Sequence, residues 1–334
     1  LPKQFQDILG TGETLLQATV RRLRKLIPPE NILVVTNHQY AGLVLENLPF
    51  LTESQVLPEP SGRNTAPCIA YGTFRILTND DQATVIATPA DHLIRDEDRF
   101  AEDLEHGLLA AEQQPYLVTI GIQPTRPDTG YGYIQFHRDE PENGIYRVKT
   151  FTEKPKLDMA QAFLRSGDFL WNSGIFIGGA ATLREAFAQH LPQLHEPFSN
   201  AIGQLGTEEE PAAISAIYTT IKAISMDYGV MEKADNVYVI KSHFEWSDLG
   251  TWGALYEQLP KDEGGNALSG PATVYDAEGN LVKNTTGASV FLKGVQDLIV
   301  VQTEDILLIC PRSQEQAVRE IVADLKSNRR EEHL

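Results

Sequence analysis

The strongest constraint on this chain is the rhythm of its first third, where amphipathic helical stretches alternate with short apolar strands. "TLLQATVRRLRKLI" puts Leu15, Leu16, Thr19, Leu23, Leu26 and Ile27 on one face, which is a helix pattern. "NILVVTN" is a short apolar strand, residues 39–48 are a weaker helix, and "SQVLPEP" is a second strand. A helix from Thr65, the buried strand "ATVIATPADH", the helix "DRFAEDLEHGLLAAEQ" and the strand "YLVTIGI" complete the series. This order predicts an α/β fold with a Rossmann-like, mostly parallel sheet, flanked by helices on both faces and joined by right-handed crossovers. Such sheets bind ligands beyond the carboxyl ends of their strands. The loop after "SQVLPEP" and the "PADH" segment both lie at that edge.

From Gly130 the rhythm changes. "YGYIQFH" and "YRVKTFTEKP" read as a hairpin about an "ENG" turn, followed by a short helix stopped by Gly167 and the strand "FLWNSGIFIG". Helices run on to about Tyr218, then come the short helix "DYGVMEK", the strand "NVYVIKS" and a turn into the helix of "TWGALYEQL". After "PKDEGGNALSG", short strands with frequent Gly and Asn turns end in one helix from about Ser313. The reading is a domain over 1–261 and a small C-terminal β-rich module over 262–334. Its spacing allows a β-solenoid coil or a plain β-meander.

With 28 basic against 46 acidic residues the net charge is −18, which argues against nucleic acid or an anionic membrane as partner. A small anion is not excluded, because a few focused cations or one metal ion outweigh a diffuse field. The two cysteines, Cys68 and Cys310, have no metal-binding spacing and read as buried thiols of a reducing compartment. The longest nearly apolar run, "FLWNSGIFIGGAATL", is too short and too polar to span a bilayer, and no signal peptide is visible. The expected location is the cytoplasm, with no membrane contact.

Several residues carry chemistry beside a plainer role. In "PSGRNTAPCIAYGTFRIL", Ser61-Gly62 is turn chemistry, Asn64 or Thr65 caps a helix, and Pro67 fits its first turn. The stretch is either a capped surface loop or an anion cradle at a helix N-terminus. Asp91 follows a buried strand, as a turn former or as an acid facing a ligand; His92 beside it reads as a loop histidine or a ligand. Asp248, between Trp246 and Trp252, either caps the next helix or supplies a second carboxylate. Two distant carboxylates can hold Mg²⁺, though spacing alone does not bring these two together. Glu153-Lys154-Pro155 ends a strand, presenting an ion pair to solvent or to a ligand. Asn172 is polar in mid-strand and needs partners, while Gly130 and Gly132 permit close backbone approach or a bulge.

The stretches "LPKQF", "EPSGRNTAP", "PADH", "GIQPTRPDTGYGYI", "FTEKP", "FLWNSGIF", "DYGVMEK" and "WSDLGTW" run in order from Leu1 to Trp252. Together they resemble the sugar-nucleotide nucleotidyltransferases. "GRNTAP" with "PTRPDTGYGYI" is similar to the mannose-1-phosphate guanylyltransferase (GDP-mannose pyrophosphorylase) branch. The resemblance implies transfer of GMP from GTP to mannose 1-phosphate, giving GDP-mannose and pyrophosphate by Mg²⁺-assisted in-line displacement. The attacking phosphate oxygen needs no protein base, since its second pKa is about 6. By the resemblance, Asp91 and Asp248 hold Mg²⁺, Lys3 sits on the nucleotide phosphates and Lys154 neutralises the sugar phosphate. Glu153, Asn172 and the backbone near Gly132 bind mannose hydroxyls, with Asp227 close to the sugar. Glu59, Gly62, Arg63, Asn64 and Thr65 line the guanine and ribose side. A homodimer is also implied.

The chain opens without an initiator Met, and only the trailing "PK" remains of the family's Gly-Gly-x-Gly-x-Arg-Leu-x-Pro phosphate loop. The expectation is that the first strand and this loop precede Leu1 in the protein. Without the loop the alternative is a non-catalytic sugar-nucleotide sensor or regulatory subunit; a third reading keeps the reaction and changes the sugar 1-phosphate. Residues 262–334 are too few for the cupin-type isomerase domain of bifunctional members, which predicts a monofunctional enzyme.

Overall fold

The computed structural model describes residues 1–142 and 144–327. The chain forms two compact units, Leu1–Phe5 with Thr14–Trp246, and Gln6–Glu13 with the chain from Ser247 onward.

The first unit opens with α1 (Leu15–Leu23), β1 (Val34–Asn37), α2 (Ala41–Asn47), β2 (Val56–Glu59) and α3 (Thr65–Leu77). It continues through β3 (Thr84–Ala87), β4 (Leu93–Ile94), α4 (Glu97–Gln113), β5 (Leu117–Ile122), β6 (Gly132–Glu142), β7 (Ile145–Glu153), α5 (Leu157–Ser166) and β8 (Phe169–Gly179). Helices α6 (Ala180–His190), α7 (Pro192–Asn200) and α8 (Glu210–Thr220) lead to β9 (Val237–Ser242) and β10 (Trp246–Ser247). Thr14 starts α1 with a capping box, its hydroxyl accepting from Gln17 N–H. Leu26 and Ile27 lie beyond the end of α1 rather than on its face.

β1 and β2 pair in parallel, and the central sheet has the order β3-β8-β5-β9-β7-β6. β3, β5, β9 and β6 run one way, with β8 and β7 interleaved the other way, so β5–β9 is the sheet's parallel pair. The α/β architecture stands, but the mostly parallel pairing does not. β8 is apolar on both faces, like any strand covered by helices, and its reversal is set by the preceding hairpin and α5 rather than by its own pattern. Alternation through the sheet feeds two cores. Leu117, Phe176 and Val237 face one with Phe74, Phe187 and Phe198, while Val118, Ile120, Ile177 and Ile240 face the other with Phe100 and Leu104.

The second unit starts with α9 (Trp252–Gln258) and continues through β11 (Ala267–Ser269), β12 (Ala272–Tyr275), β13 (Leu281–Asn284), β14 (Val290–Lys293), β15 (Leu298–Gln302), β16 (Leu307–Pro311) and α10 (Val318–Ser327). β11, β13 and β15 stack in parallel, as do β12 and β14, and β16 closes antiparallel on β15. Parallel stacking decides for the solenoid over the meander, whose neighbours would be antiparallel. Buried Asn280 donates from Nδ2 to Oδ1 of buried Asn266 at 2.8 Å, and its own Oδ1 accepts from Leu298 N–H at 3.0 Å. These amides satisfy turn groups that water cannot reach. Gly270 has φ +88°, and a Cβ there would lie 1.9 Å from Asn284 O, so the coil admits only glycine. Among the described residues no helix is long and apolar enough to cross a membrane.

Candidate functional site

Three segments at the strand ends of the first unit hold most of the sequence-predicted residues. After β3 the chain turns through Pro89-Ala90 to Asp91. Lys3 Nζ lies 3.1 Å from Asp91 Oδ2, and His92 Nε2 lies 3.7 Å from Asp91 Oδ1. The loop is braced from α1, where Arg22 Nη2 donates to His92 O at 3.2 Å and Thr19 Oγ1 approaches Ala90 O.

The second segment is the meeting of β6, β7 and β8. Register pairs Gly132 with Glu153, and a Cβ on Gly132 would meet Glu153 Oε2 at 2.5 Å and Asn172 Cβ at 3.5 Å. Only the bare backbone lets the carboxylate lie there. Lys154 Nζ pairs with Glu153 Oε1 at 2.9 Å; its backbone is left-handed at φ +46°, and its N–H donates to Tyr131 O. Such a conformation is uncommon for lysine and is held by its surroundings. Asn172 finds the partners that its mid-strand position requires: Nδ2 donates to Asp227 Oδ1 at 2.5 Å, and Oδ1 accepts from Gly174 N–H. Asp227 lies on a single π-helical turn, Asp227–Met231. Burial, with the nearby Glu153 charge, pushes its carboxyl above the ordinary range. The structure thus brings together Gly132, Glu153, Lys154, Asn172 and Asp227.

The third segment is the loop into α3. Asn64, at φ +70°, accepts Thr65 N–H on its side chain and caps the helix. The segment after α8 pins the loop: Ile224 N–H donates to Arg63 O, Ala66 N–H to Ile224 O, and Met226 N–H to Thr65 Oγ1 at 2.8 Å. Arg63 Nη2 donates to Tyr218 O, while Tyr218 O–H donates to Glu59 Oε1 at 2.7 Å. Burial pushes the Glu59 carboxyl up, against the pull of that hydroxyl. Gly62 is exposed, with open space where a Cβ would stand.

Asp248 belongs to the second unit, where its Oδ1 accepts Gly250 N–H at 2.9 Å next to Leu249 at φ +47°. It does not cap α9; Thr251 does, accepting from Ala254 N–H. Sequence reasoning missed Arg22, Tyr131, Tyr218 and Trp246. Neither Arg22, which falls outside the apolar face of its helix pattern, nor the three aromatics carried a signal of chemistry in the sequence.

The chain matches the nucleotidyl transferase family over residues 1–264, most of its length. It belongs to that family. Residues 272–325 match a second family, described as the MannoseP isomerase/GMP-like beta-helix domain. The nucleotidyl transferase is 36% identical over 340 residues to mannose-1-phosphate guanylyltransferases of Klebsiella pneumoniae and Escherichia coli, covering 99% of this chain and 71% of each relative. It is 33% identical to the alginate biosynthesis protein AlgA of Pseudomonas aeruginosa, over 99% of this chain and 69% of that one. Among solved structures, a Thermus thermophilus protein described as a mannose-1-phosphate geranyltransferase superposes with a TM-score of 0.86 at 35% identity, covering 97% of this chain and 92% of that one. Nucleotidyl transferases of this kind generally use a divalent metal ion.

Proposed function

We propose that this nucleotidyl transferase moves GMP from GTP to mannose 1-phosphate, releasing pyrophosphate and forming GDP-mannose. The observation that carries this reading is the cluster of Gly132, Glu153, Lys154, Asn172 and Asp227, in the same unit as the Lys3–Asp91 pair. Carboxylates and a primary amide set around a bare backbone suit a polyhydroxylated sugar, and the adjoining ammonium suits its phosphate.

A phosphate oxygen of the sugar 1-phosphate attacks the α-phosphorus, the new P–O bond forms, and the α–β bridging oxygen leaves with pyrophosphate. The nucleophile is already ionised at neutral pH, since its second pKa is about 6. The protein therefore positions the reactants and neutralises charge. Lys154 binds the sugar phosphate; Glu153, Asn172, Asp227 and the Gly132 backbone orient the hydroxyls; Lys3 contacts the nucleotide phosphates. Glu59, Gly62, Arg63, Asn64 and Thr65 wall the guanosine. Asp91 offers hard carboxylate oxygens, the donor type that Mg²⁺ takes alongside phosphate and water, and Asp248 is proposed as the second carboxylate. Bound there, Mg²⁺ supplies charge neutralisation at the phosphates. Cytoplasmic placement, where GTP is supplied, and a homodimer, read by light scattering, belong to the same proposal.

The test is incubation with GTP, mannose 1-phosphate and Mg²⁺, then a panel of nucleoside triphosphates and sugar 1-phosphates. GDP-mannose and pyrophosphate in equal amounts are expected. Preference for dTTP or another sugar phosphate would change the substrates, and GDP-mannose binding without turnover would make the chain a sensor.

A further inference from the structure

One indole joins the Asp91 loop to the Lys154 turn. Trp246 Nε1–H donates to His92 Nδ1 at 3.2 Å, and the two rings meet edge to face with centroids 5.4 Å apart. An indole N–H can only donate, so His92 Nδ1 is the accepting nitrogen and the neutral ring carries its proton on Nε2. That Nε2 is the atom 3.7 Å from Asp91 Oδ1, while Lys3 holds Oδ2. The two oxygens of Asp91 therefore face different groups, the Lys3 ammonium at 3.1 Å and the His92 Nε2 edge at 3.7 Å. On its other side Trp246 packs against Tyr131 with centroids 5.1 Å apart, and Tyr131 O accepts the Lys154 N–H. His92 cannot drift from this arrangement easily, because Arg22 holds its carbonyl.

We infer that Trp246 is a positioning residue for the transfer: it locks His92 in the Nε2–H tautomer, so that the imidazole orients Asp91, and it braces the turn that presents Lys154. The inference rests on the guanylyltransferase reading and deepens it. Neither Trp246 nor His92 touches the reacting atoms in this account. Their effect passes through Asp91 and Lys154, as the outer groups of a phosphoryl-transfer site hold the inner ones.

Trp246→Phe keeps an aromatic ring and removes the N–H. In ¹⁵N-resolved spectra of the wild-type chain, His92 is expected as the pure Nε2–H tautomer, and in Trp246→Phe as a mixture. Losing the oriented N–H that faces the Asp91 carboxylate should lower kcat about tenfold. The KM for mannose 1-phosphate should stay near the wild-type value in Trp246→Phe, which keeps a ring against Tyr131, and in His92→Leu, and rise in Trp246→Ala, which removes that ring. His92→Gln returns an N–H to the place of Nε2 and should recover most of the rate lost in His92→Leu. In the double variant, Trp246→Phe with His92→Leu, kcat should fall no further than in His92→Leu. An unchanged Nε2–H tautomer in Trp246→Phe, or a wild-type kcat in His92→Leu, overturns the inference. Should Trp246→Phe not fold, the histidine variants decide: His92→Gln no better than His92→Leu overturns it equally. The tautomer is read without turnover, so a chain that makes no GDP-mannose would defeat the guanylyltransferase reading separately.

Discussion

Asp227 sets stability against its proposed part in binding the sugar. Burial and the Glu153 charge hold its carboxyl above the ordinary range, so ionising it costs folding free energy. Its contribution to stability is fully present below the unfolded pKa, near about 3.9, and is lost as pH rises through the raised folded value. Asp227→Asn removes that loss, because the new carbonyl still accepts from Asn172 Nδ2. The variant should melt above the wild type near neutral pH, with the gap closing as pH falls toward about 4, and its KM for mannose 1-phosphate should rise. A melting gap independent of pH would remove burial as the cause. Asp91 is the opposite case, half-exposed and paired with Lys3. Asp91→Asn should leave unfolding unchanged within about 0.5 kcal/mol while lowering kcat by about a hundredfold or more. Steady-state rates beside a urea titration check both.

At the scale of elements, α3 begins where the chain after α8 crosses it. Thr65 serves both, standing first in the helix and accepting the N–H of fully buried Met226. Thr65→Val keeps the shape and orphans that N–H, at a cost of about 1–3 kcal/mol. Because the same residue walls the proposed guanosine side, the KM for GTP should rise with that for mannose 1-phosphate little changed. Equal shifts in both constants would detach this loop from the base. The start of α3 was legible because Ser61, Gly62, Asn64 and Pro67 carry local turn and cap chemistry. Its neighbour was not legible: Ile224 and Met226 bond the loop through backbone groups, which leave no trace in side-chain pattern. The reversal of β8 was hidden for a related reason, since a strand buried on both faces looks alike in either direction. Glu153, Lys154 and Asn172 stood out as polar residues at or within apolar strands. Trp246 and Tyr131 did not, because an aromatic with a polar handle reads as core until its partner is seen.

Across the whole molecule, the chain changes unit soon after Lys3. Leu1–Phe5 packs with the first unit, whereas Gln6–Glu13 packs with the C-terminal solenoid. Lys283 of β13, half-buried, points its Nζ at Ile8 O and Ser269 Oγ. Asp7 organises the segment from within, accepting Thr11 N–H on Oδ1 and Gly12 N–H on Oδ2, each at 2.8 Å. Burial pushes the Asp7 carboxyl up, but these amides, with Gly10 N–H and the Lys283 charge, outweigh it and hold the group below its usual range. A carboxyl depressed in this way stabilises its segment above the unfolded pKa and loses that contribution as pH falls through the folded one. The Lys283 contacts, at 3.3–3.4 Å, are long and worth less than the Asp7 pair. Asp7→Ala should therefore speed amide exchange across residues 6–13 about tenfold or more, ahead of any change in global unfolding, while Lys283→Met should do so more weakly. Exchange over residues 6–13 unaltered in Asp7→Ala would mean that the amide bonds to this carboxylate do not order the segment, and that its remaining backbone contacts hold it.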